Sequence, residues 1–154
     1  MVRKRLGAVL VGWAAVTGSL SLEAFLLFAI VFYWTPPHSW ALALLVNADY
    51  AAAEVPMMPV ARGERTTQWQ ILFYSIQLVL VTLLPAASLL LPNVEFLGFF
   101  YFVSALLLGI GMIQKSVQLI RESNKPAARR LYKYSSMYLA LLFLAMIVDS
   151  LLRI

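Results

Sequence analysis

The sequence predicts an all-α membrane protein, a polytopic helix bundle of about five transmembrane helices. Of its 154 residues, 62% are hydrophobic and only 12% are charged, whereas a soluble domain is about 45–50% apolar and about 25% charged. The apolar residues gather in long runs, and the Lys and Arg residues cluster in alternate connections between them. A soluble core of this size has no room for so much apolar surface, so lipid is the expected surroundings.

Five apolar runs define the expected helices of this single transmembrane region. They cover residues 6–22, 25–46, 71–91, 96–113 and 134–152. A span needs about 20 residues, and only the first run is marginal. Because Met1–Arg5 is basic, the first run could instead be a signal peptide. Small residues at Ala8, Gly12, Ala15 and Ser19 favour a membrane helix, since they let a second helix approach closely.

The placement of the basic residues predicts the orientation in the membrane. Basic clusters occupy Arg3–Arg5, the Arg62/Arg65 connection and the connection from Lys115 to Lys133, whereas residues 21–24 and 92–95 contain no Lys or Arg. The positive-inside rule then puts the N-terminus in the cytoplasm and the C-terminus outside. A net charge of +5 explained in this way calls for no nucleic-acid partner. The absence of cysteine from the sequence excludes disulfides and thiolate metal sites.

A proline pair interrupts the second run just before its only histidine. Pro36 and Pro37 remove two backbone donors, so we expect a kink or local unwinding there. His38 follows directly and has two open interpretations: a packed imidazole bonded to a carbonyl, or a residue that lines a cavity and touches a porphyrin. A broken helix of this kind would also suit the substrate site of a transporter.

Charged residues after the second run form the next candidate site. Asp49 is followed by Glu54, Arg62, Glu64 and Arg65. Magnesium prefers carboxylate and phosphate oxygens, and guanidinium groups match the geometry of a diphosphate. The set would therefore suit a magnesium-diphosphate group. The alternative interpretation is a solvated loop whose arginines only follow the positive-inside rule.

Weaker patterns remain near the two membrane boundaries. Asp149 and Arg153 stand four residues apart near the outer end of the last run, where a surface ion pair is the simpler interpretation and a proton relay the alternative. Trp69 and Tyr132 are interpreted as aromatic residues of the inner interface.

Several of these segments together resemble the second half of the protohaem IX farnesyltransferases (haem O synthases), a branch of the UbiA-type intramembrane prenyltransferases. The resemblance covers essentially the whole chain and rests on motifs in the same order and spacing. These are residues 12–18, the Thr-Pro-Pro-His core within residues 34–44, Asp49-Tyr50, residues 55–60, Arg62-Gly63-Glu64 and residues 128–135.

The resemblance implies a bundle that is complete at about nine spanning helices, of which this chain would supply the second half, in the inner (plasma) membrane. Members of the family transfer the farnesyl group of farnesyl diphosphate to a vinyl group of haem B, with Mg²⁺ bound to the diphosphate. By carry-over, Asp49 would be the catalytic and metal-binding carboxylate, and Tyr50, Arg62 and Arg65 would face the substrate. His38 would be a haem-side residue.

Three departures from the family pattern qualify this carry-over. The family's Asn-x-x-x-Asp-x-x-x-Asp motif belongs to its first half and is not in this sequence, so the activity is expected to need a separate N-terminal half. Val46-Asn47-Ala48 stands where a basic residue is usual. Glu54 stands where glycine or another uncharged residue is usual, and it could be an extra metal ligand. The alternative is a non-catalytic haem-binding or assembly-partner membrane protein derived from this family.

Overall fold

The computed structural model describes residues 11–12, 14–16, 18–19, 21–89 and 97–152. Within them all regular structure is helical, which confirms the predicted fold class. The elements are α1 (Leu22–Leu45), α2 (Asn47–Ala52), α3 (Met58–Arg62), α4 (Glu64–Leu83), a 3-10 segment (Leu84–Leu89), α5 (Phe99–Glu122) and α6 (Lys125–Leu152). Residues 6–10, 13, 17 and 20 of the first apolar run, and the basic Met1–Arg5 on which its signal-peptide alternative rests, lie outside the described residues.

The four long helices form a closed ring in which each packs against two others. α1 contacts α4 and α6, and α5 contacts the same two helices from the other side. The centre is filled by large side chains without solvent exposure, among them Ile71, Tyr101, Met112, Leu131 and Tyr138. Successive long helices run antiparallel. The end of α1, the start of α4, the end of α5 and the start of α6 therefore meet at one end of the bundle.

Buried hydroxyl groups join the helices inside this ring. The hydroxyls of Ser75 on α4 and Ser116 on α5 lie 2.9 Å apart, and Thr82 Oγ1 lies 2.9 Å from the Tyr138 hydroxyl. In lipid, hydrogen bonds between helices and close packing take over much of the role that hydrophobic burial has in water. These pairs therefore fix the relative positions of α4, α5 and α6.

Three helical stretches are long and apolar enough to cross a bilayer: Glu64–Ala86, Phe99–Glu122 and Lys125–Leu152. They establish a multi-pass membrane protein. α1 has 24 residues, but it is not among the three because its centre carries the polar stretch from Tyr33 to Ser39. A helix with such a centre fits a membrane protein where that polar surface faces other protein or a cavity.

At the end of the bundle where α5 ends and α6 begins, the helices are longer than the apolar runs indicated. We call this the cationic end, because Arg62, Arg65, Arg121 and Lys125 lie there. α5 continues to Glu122 rather than ending near residue 113, and α6 begins at Lys125 rather than near residue 134. Lys, Arg, Gln and Glu are good helix formers, so these helices continue past the lipid boundary as charged, solvated turns. Only Ser123 and Asn124 separate them. The side-chain oxygen of Asn124 accepts the backbone N–H of Ala127 at 2.8 Å and caps α6.

The proline pair does not unwind α1, which runs helical from Leu22 to Leu45. The Thr35 hydroxyl donates to the carbonyl of Val31 at 2.7 Å, and the Ser39 hydroxyl donates to the carbonyl of Thr35 at 2.6 Å. Hydroxyl groups and packed neighbouring helices are the features that let membrane helices tolerate proline. The predicted local unwinding was therefore wrong, and α1 is not the discontinuous helix that the transporter interpretation needs. A kink at the proline pair stays a prediction.

Asp149 also differs from its predicted role. Its side chain is 2% exposed, so it is not part of a surface ion pair. Its carboxylate accepts the backbone N–H groups of Gly98, at 2.5 Å, and Tyr101, at 3.1 Å. These N–H groups belong to the start of α5, where a helix has no internal acceptors for them. Asp149 therefore caps α5 from α6, and Arg153 lies outside the described residues.

Candidate active site

The sequence-predicted site residues lie on α1, on the start of α4 and in the segment between them, toward the cationic end of the bundle. Two contacts hold the helix ends together here. Arg65 on α4 donates to the carbonyl of Ile120 on α5 at 2.8 Å, and the Ser123 hydroxyl donates to Gln68 Oε1 at 3.1 Å. The rigid helix ends thus support the short helices α2 and α3, which carry Asp49 and Arg62.

Asp49 lies on α2 with its side chain exposed. In the part of the chain that the structure describes, its carboxylate has no hydrogen-bond or ion-pair partner. Tyr50 beside it, the predicted substrate-facing residue, is half-buried. A carboxylate that no protein group neutralises can bind a hard cation without first breaking a contact.

Glu54 follows at the end of α2 in a left-handed backbone conformation, with φ of 53°. That conformation suits glycine and costs an L-residue about 1–2 kcal/mol. Across the described residues, no three His, Cys, Asp or Glu side chains come together as a metal-binding group. Metal binding by Asp49 and Glu54 stays a prediction.

Glu64 is part of a structural contact at the same end. The side-chain amide of Asn47 on α2 donates to Glu64 Oε1 at 2.8 Å. This bond ties α2 to the first turn of α4. Glu64 also lines a cavity of about 140 Å³ between the helix ends, together with Gln68, Asn124 and Lys125 among others. That cavity is small and its lining does not include Asp49.

The two arginines predicted to bind phosphate have different surroundings. Arg62 ends α3, is exposed, and has no ion-pair partner among the described residues. Arg65 already donates to Ile120, and its guanidinium lies 5.9 Å from the centre of the Trp69 ring. A cation near the last carbonyls of α5 stabilises that helix end. Arg62 is therefore the freer phosphate-binding candidate.

His38 lies deeper in the bundle, between two aromatic rings. Its ring stacks on Trp34 at 4.3 Å with 20° between the planes, and on Tyr132 of α6 at 4.7 Å with 27°. His38 precedes the end of α1 at Leu45 by seven residues, which is about 10 Å at 1.5 Å per residue. The imidazole is half-buried and its ring plane is fixed by its neighbours.

Hydrogen bonds around Ser135 favour one tautomer of this imidazole. His38 Nδ1 lies 2.8 Å from the Ser135 hydroxyl, which donates its one proton to the carbonyl of Tyr132 at 2.8 Å. With the hydroxyl proton on that carbonyl, the tautomer protonated at Nδ1 completes the bond to Ser135, and this tautomer keeps a lone pair on Nε2. The indole N–H of Trp34 donates to the Ser135 carbonyl at 2.7 Å, so both aromatic partners are held by the same turn of α6.

The sequence did not identify the residues around His38. Tyr132 was interpreted as an interfacial aromatic residue, yet it stacks on the imidazole, and Ser135 was recognised only as part of a motif. The single available signal was that residues 34–38 and 132–135 each combine an aromatic side chain with a polar one. Such a signal gives no pairing between segments about 100 residues apart.

The described chain is thus a ring of membrane helices with Asp49 and Arg62 exposed at one end. The chain matches the UbiA prenyltransferase family over residues 6–146. It therefore belongs to that family.

Curated relatives specify the branch of the family that it resembles. The chain is 50% identical over 143 residues to a protoheme IX farnesyltransferase of Chloroflexus aurantiacus, covering 93% of this chain and 23% of that protein. It is 52% identical over 140 residues to the enzyme of Thermus thermophilus, covering 91% and 22%, and 48% identical over 143 residues to that of Cyanothece sp., covering 92% and 43%. The chain thus spans less than half the length of these relatives. No solved structure matches it.

Proposed function

We propose that this chain forms the C-terminal part of a haem O synthase, which transfers the farnesyl group of farnesyl diphosphate to a vinyl group of haem B. The observation that carries the proposal is the unpaired Asp49 carboxylate, exposed beside the helix ends, with His38 and its free Nε2 deeper in the bundle. The apolar membrane interior between the depth of Asp49 and the depth of His38 suits an apolar farnesyl chain. The relatives' names give the reaction, and the chemistry of these residues fits it.

Asp49 and Arg62 act at the diphosphate. A Mg²⁺ ion held by Asp49 would neutralise charge on the diphosphate and make it a better leaving group. The Arg62 guanidinium donates to the same oxygens and stabilises the negative charge that grows as the C–O bond breaks. Tyr50 holds the α2 turn in place. Glu54 adds a second carboxylate near Asp49 in sequence and is proposed as an auxiliary metal ligand.

His38 acts at the porphyrin. Its lone pair on Nε2 can bind the iron of haem B, and the stacked rings of Trp34 and Tyr132 keep the imidazole from rotating. Iron held at this one point sets the position of the vinyl group relative to the farnesyl chain. The vinyl group then attacks the allylic carbon from which diphosphate has departed. Water adds to the cation that this leaves next to the porphyrin and loses a proton, which gives a hydroxyalkyl side chain. Positioning of this kind supplies a large share of the rate enhancement in a reaction between two bound substrates.

The charge distribution supports an orientation. The described Lys and Arg residues lie at the end of the bundle that carries Asp49 or in the helix turns leading to it. We therefore place this end, and the diphosphate site, at the cytoplasmic face.

The test is haem O formation by this chain co-expressed with the N-terminal part of a related full-length enzyme, which carries the motif that this sequence does not contain. Asp49→Asn should abolish haem O in extracted haems, whereas Glu23→Gln, an amide replacement at the other end of α1, should leave it unchanged. Full activity of Asp49→Asn would overturn the catalytic assignment. Haem binding without any haem O from the wild-type pair would favour the non-catalytic haem-binding alternative.

A further inference from the structure

The first turns of α6 carry a basic cavity that the proposed chemistry does not use. It has a volume of about 340 Å³ and is lined by Lys125, Pro126, Arg129, Arg130 and Lys133. Four of its five lining residues are cations. Membrane topology requires basic residues on the cytoplasmic side, but it does not require them to converge on one concavity.

Most of this positive charge lacks a counter-ion. Arg130 forms a salt bridge with Glu122 at the end of α5. Lys125, Arg129 and Lys133 have no carboxylate within ion-pair distance among the residues of known position. Three uncompensated cations around one cavity repel each other and attract an anion. The cavity therefore has the charge of an anion-binding site.

The position of the cavity on α6 relates it to His38. Arg129 precedes Tyr132 by one helical turn, about 4.5 Å along the axis, and residues three apart share a helix face. Tyr132 stacks directly on the His38 ring. Arg129 and Lys125 thus lie about one and two turns closer to the start of α6 than Tyr132, and Lys133 directly follows Tyr132.

We propose that Arg129 and Lys133, with Lys125, bind the propionate carboxylates of the haem B molecule whose iron is held by His38. This inference rests on the proposed function and assigns its substrate a second anchor. Guanidinium forks match carboxylates well, and ammonium groups add charge. Two anchors, at iron and at the propionates, would fix the rotation of the porphyrin and so select which vinyl group faces the farnesyl chain. A phospholipid phosphate has similar anion chemistry, so the test separates the two sources.

The experiment measures haem binding to the purified chain in phosphatidylcholine nanodiscs by the Soret absorbance. The probes are haem B and its dimethyl ester, in which both propionates are uncharged. The wild-type chain should bind haem B at least about tenfold more tightly than the ester, as expected for contacts to charged groups. The double variant Arg129→Gln/Lys133→Gln should bind both equally. Lys115→Gln, a cation on α5 whose ammonium contacts Gln118, should keep the wild-type preference.

Equal affinity of the wild-type chain for the two probes would overturn the inference, and so would a double variant that keeps the preference. Repeating the titration in nanodiscs with anionic phosphatidylglycerol tests the lipid. If the double variant loses only retention of that lipid, the cavity is a lipid site and the propionate assignment is wrong. His38→Ala separates the two proposals: unchanged haem B affinity in this variant defeats the haem site itself, whereas a His38-dependent affinity without ester discrimination defeats only the propionate contact.

Discussion

His38 Nδ1 and the Ser135 hydroxyl lie 2.8 Å apart across the interface of α1 and α6, although 97 positions separate them in the sequence. Because the same hydroxyl donates to the carbonyl of Tyr132, the bond favours the imidazole tautomer with its hydrogen on Nδ1 and its lone pair on Nε2. Under the proposed function, Ser135 would thus prepare His38 to bind the haem iron. Residues in this position around a metal ligand commonly change affinity by about 10–100-fold.

Ser135→Ala is therefore expected to weaken haem B binding by about tenfold. The substitution removes the acceptor that holds hydrogen on Nδ1, so the free imidazole can place its hydrogen on Nε2 instead. The measurement is the affinity and the Soret position of bound haem B in a detergent or nanodisc titration. Ser135→Thr, which keeps the hydroxyl, should restore both. If Ser135→Ala binds haem B with an unchanged affinity and spectrum, the hydroxyl has no positioning role.

Asp149→Ala is expected to lower the free energy of unfolding by about 2–3 kcal/mol, because it leaves the N–H groups of Gly98 and Tyr101 without their charged acceptor. Asp149→Asn keeps one acceptor oxygen and should cost less. Both can be measured by the loss of helical circular dichroism on titration with sodium dodecyl sulfate. If Asp149→Ala resists unfolding by sodium dodecyl sulfate as well as the wild type does, the cap contributes nothing to stability. The site at the opposite end of the bundle should keep its haem affinity.

Glu54→Gly is expected to raise stability by about 1 kcal/mol, since glycine adopts the left-handed conformation of this position without the steric cost. Glu54→Ala distinguishes the effect of the backbone conformation from the effect of the negative charge. It removes the carboxylate but keeps the Cβ atom, so it should give no comparable gain in stability. Thermal unfolding followed by tryptophan fluorescence makes the comparison. An equal gain from both substitutions would assign the effect to the negative charge instead of the backbone.

The sequence predicted the helices from hydropathy, but not where they end. Apolar runs mark the part of a helix that lies in lipid, whereas α5 and α6 continue through Lys115–Glu122 and Lys125–Lys133 as charged turns. Hydropathy does not report such extensions because charged residues are compatible with both loops and solvated helices. The local sequence also did not show that α1 stays helical at Pro36-Pro37, because the hydroxyls of Thr35 and Ser39 and the packed neighbouring helices stabilise it there.

The candidate site was predictable as a set of residue types and not as an arrangement. Asp49 and Arg62 carry an interpretable chemistry by themselves, and the motifs around them resemble one family. The roles of Tyr132, Ser135 and Asp149 depend on contacts between helices far apart in sequence. Asp149 illustrates the difference: its spacing from Arg153 suggested an ion pair, whereas helix packing turned its carboxylate toward two backbone N–H groups.

The most direct test of the central assignment is the binding of farnesyl diphosphate to the chain, combined with its N-terminal counterpart, as a function of Mg²⁺. We expect affinity that rises with Mg²⁺, is lost on chelation, and falls at least tenfold in Asp49→Asn but not in Glu23→Gln. Binding that is independent of Mg²⁺, or equally tight in Asp49→Asn, would contradict the assignment of Asp49 to the metal and diphosphate.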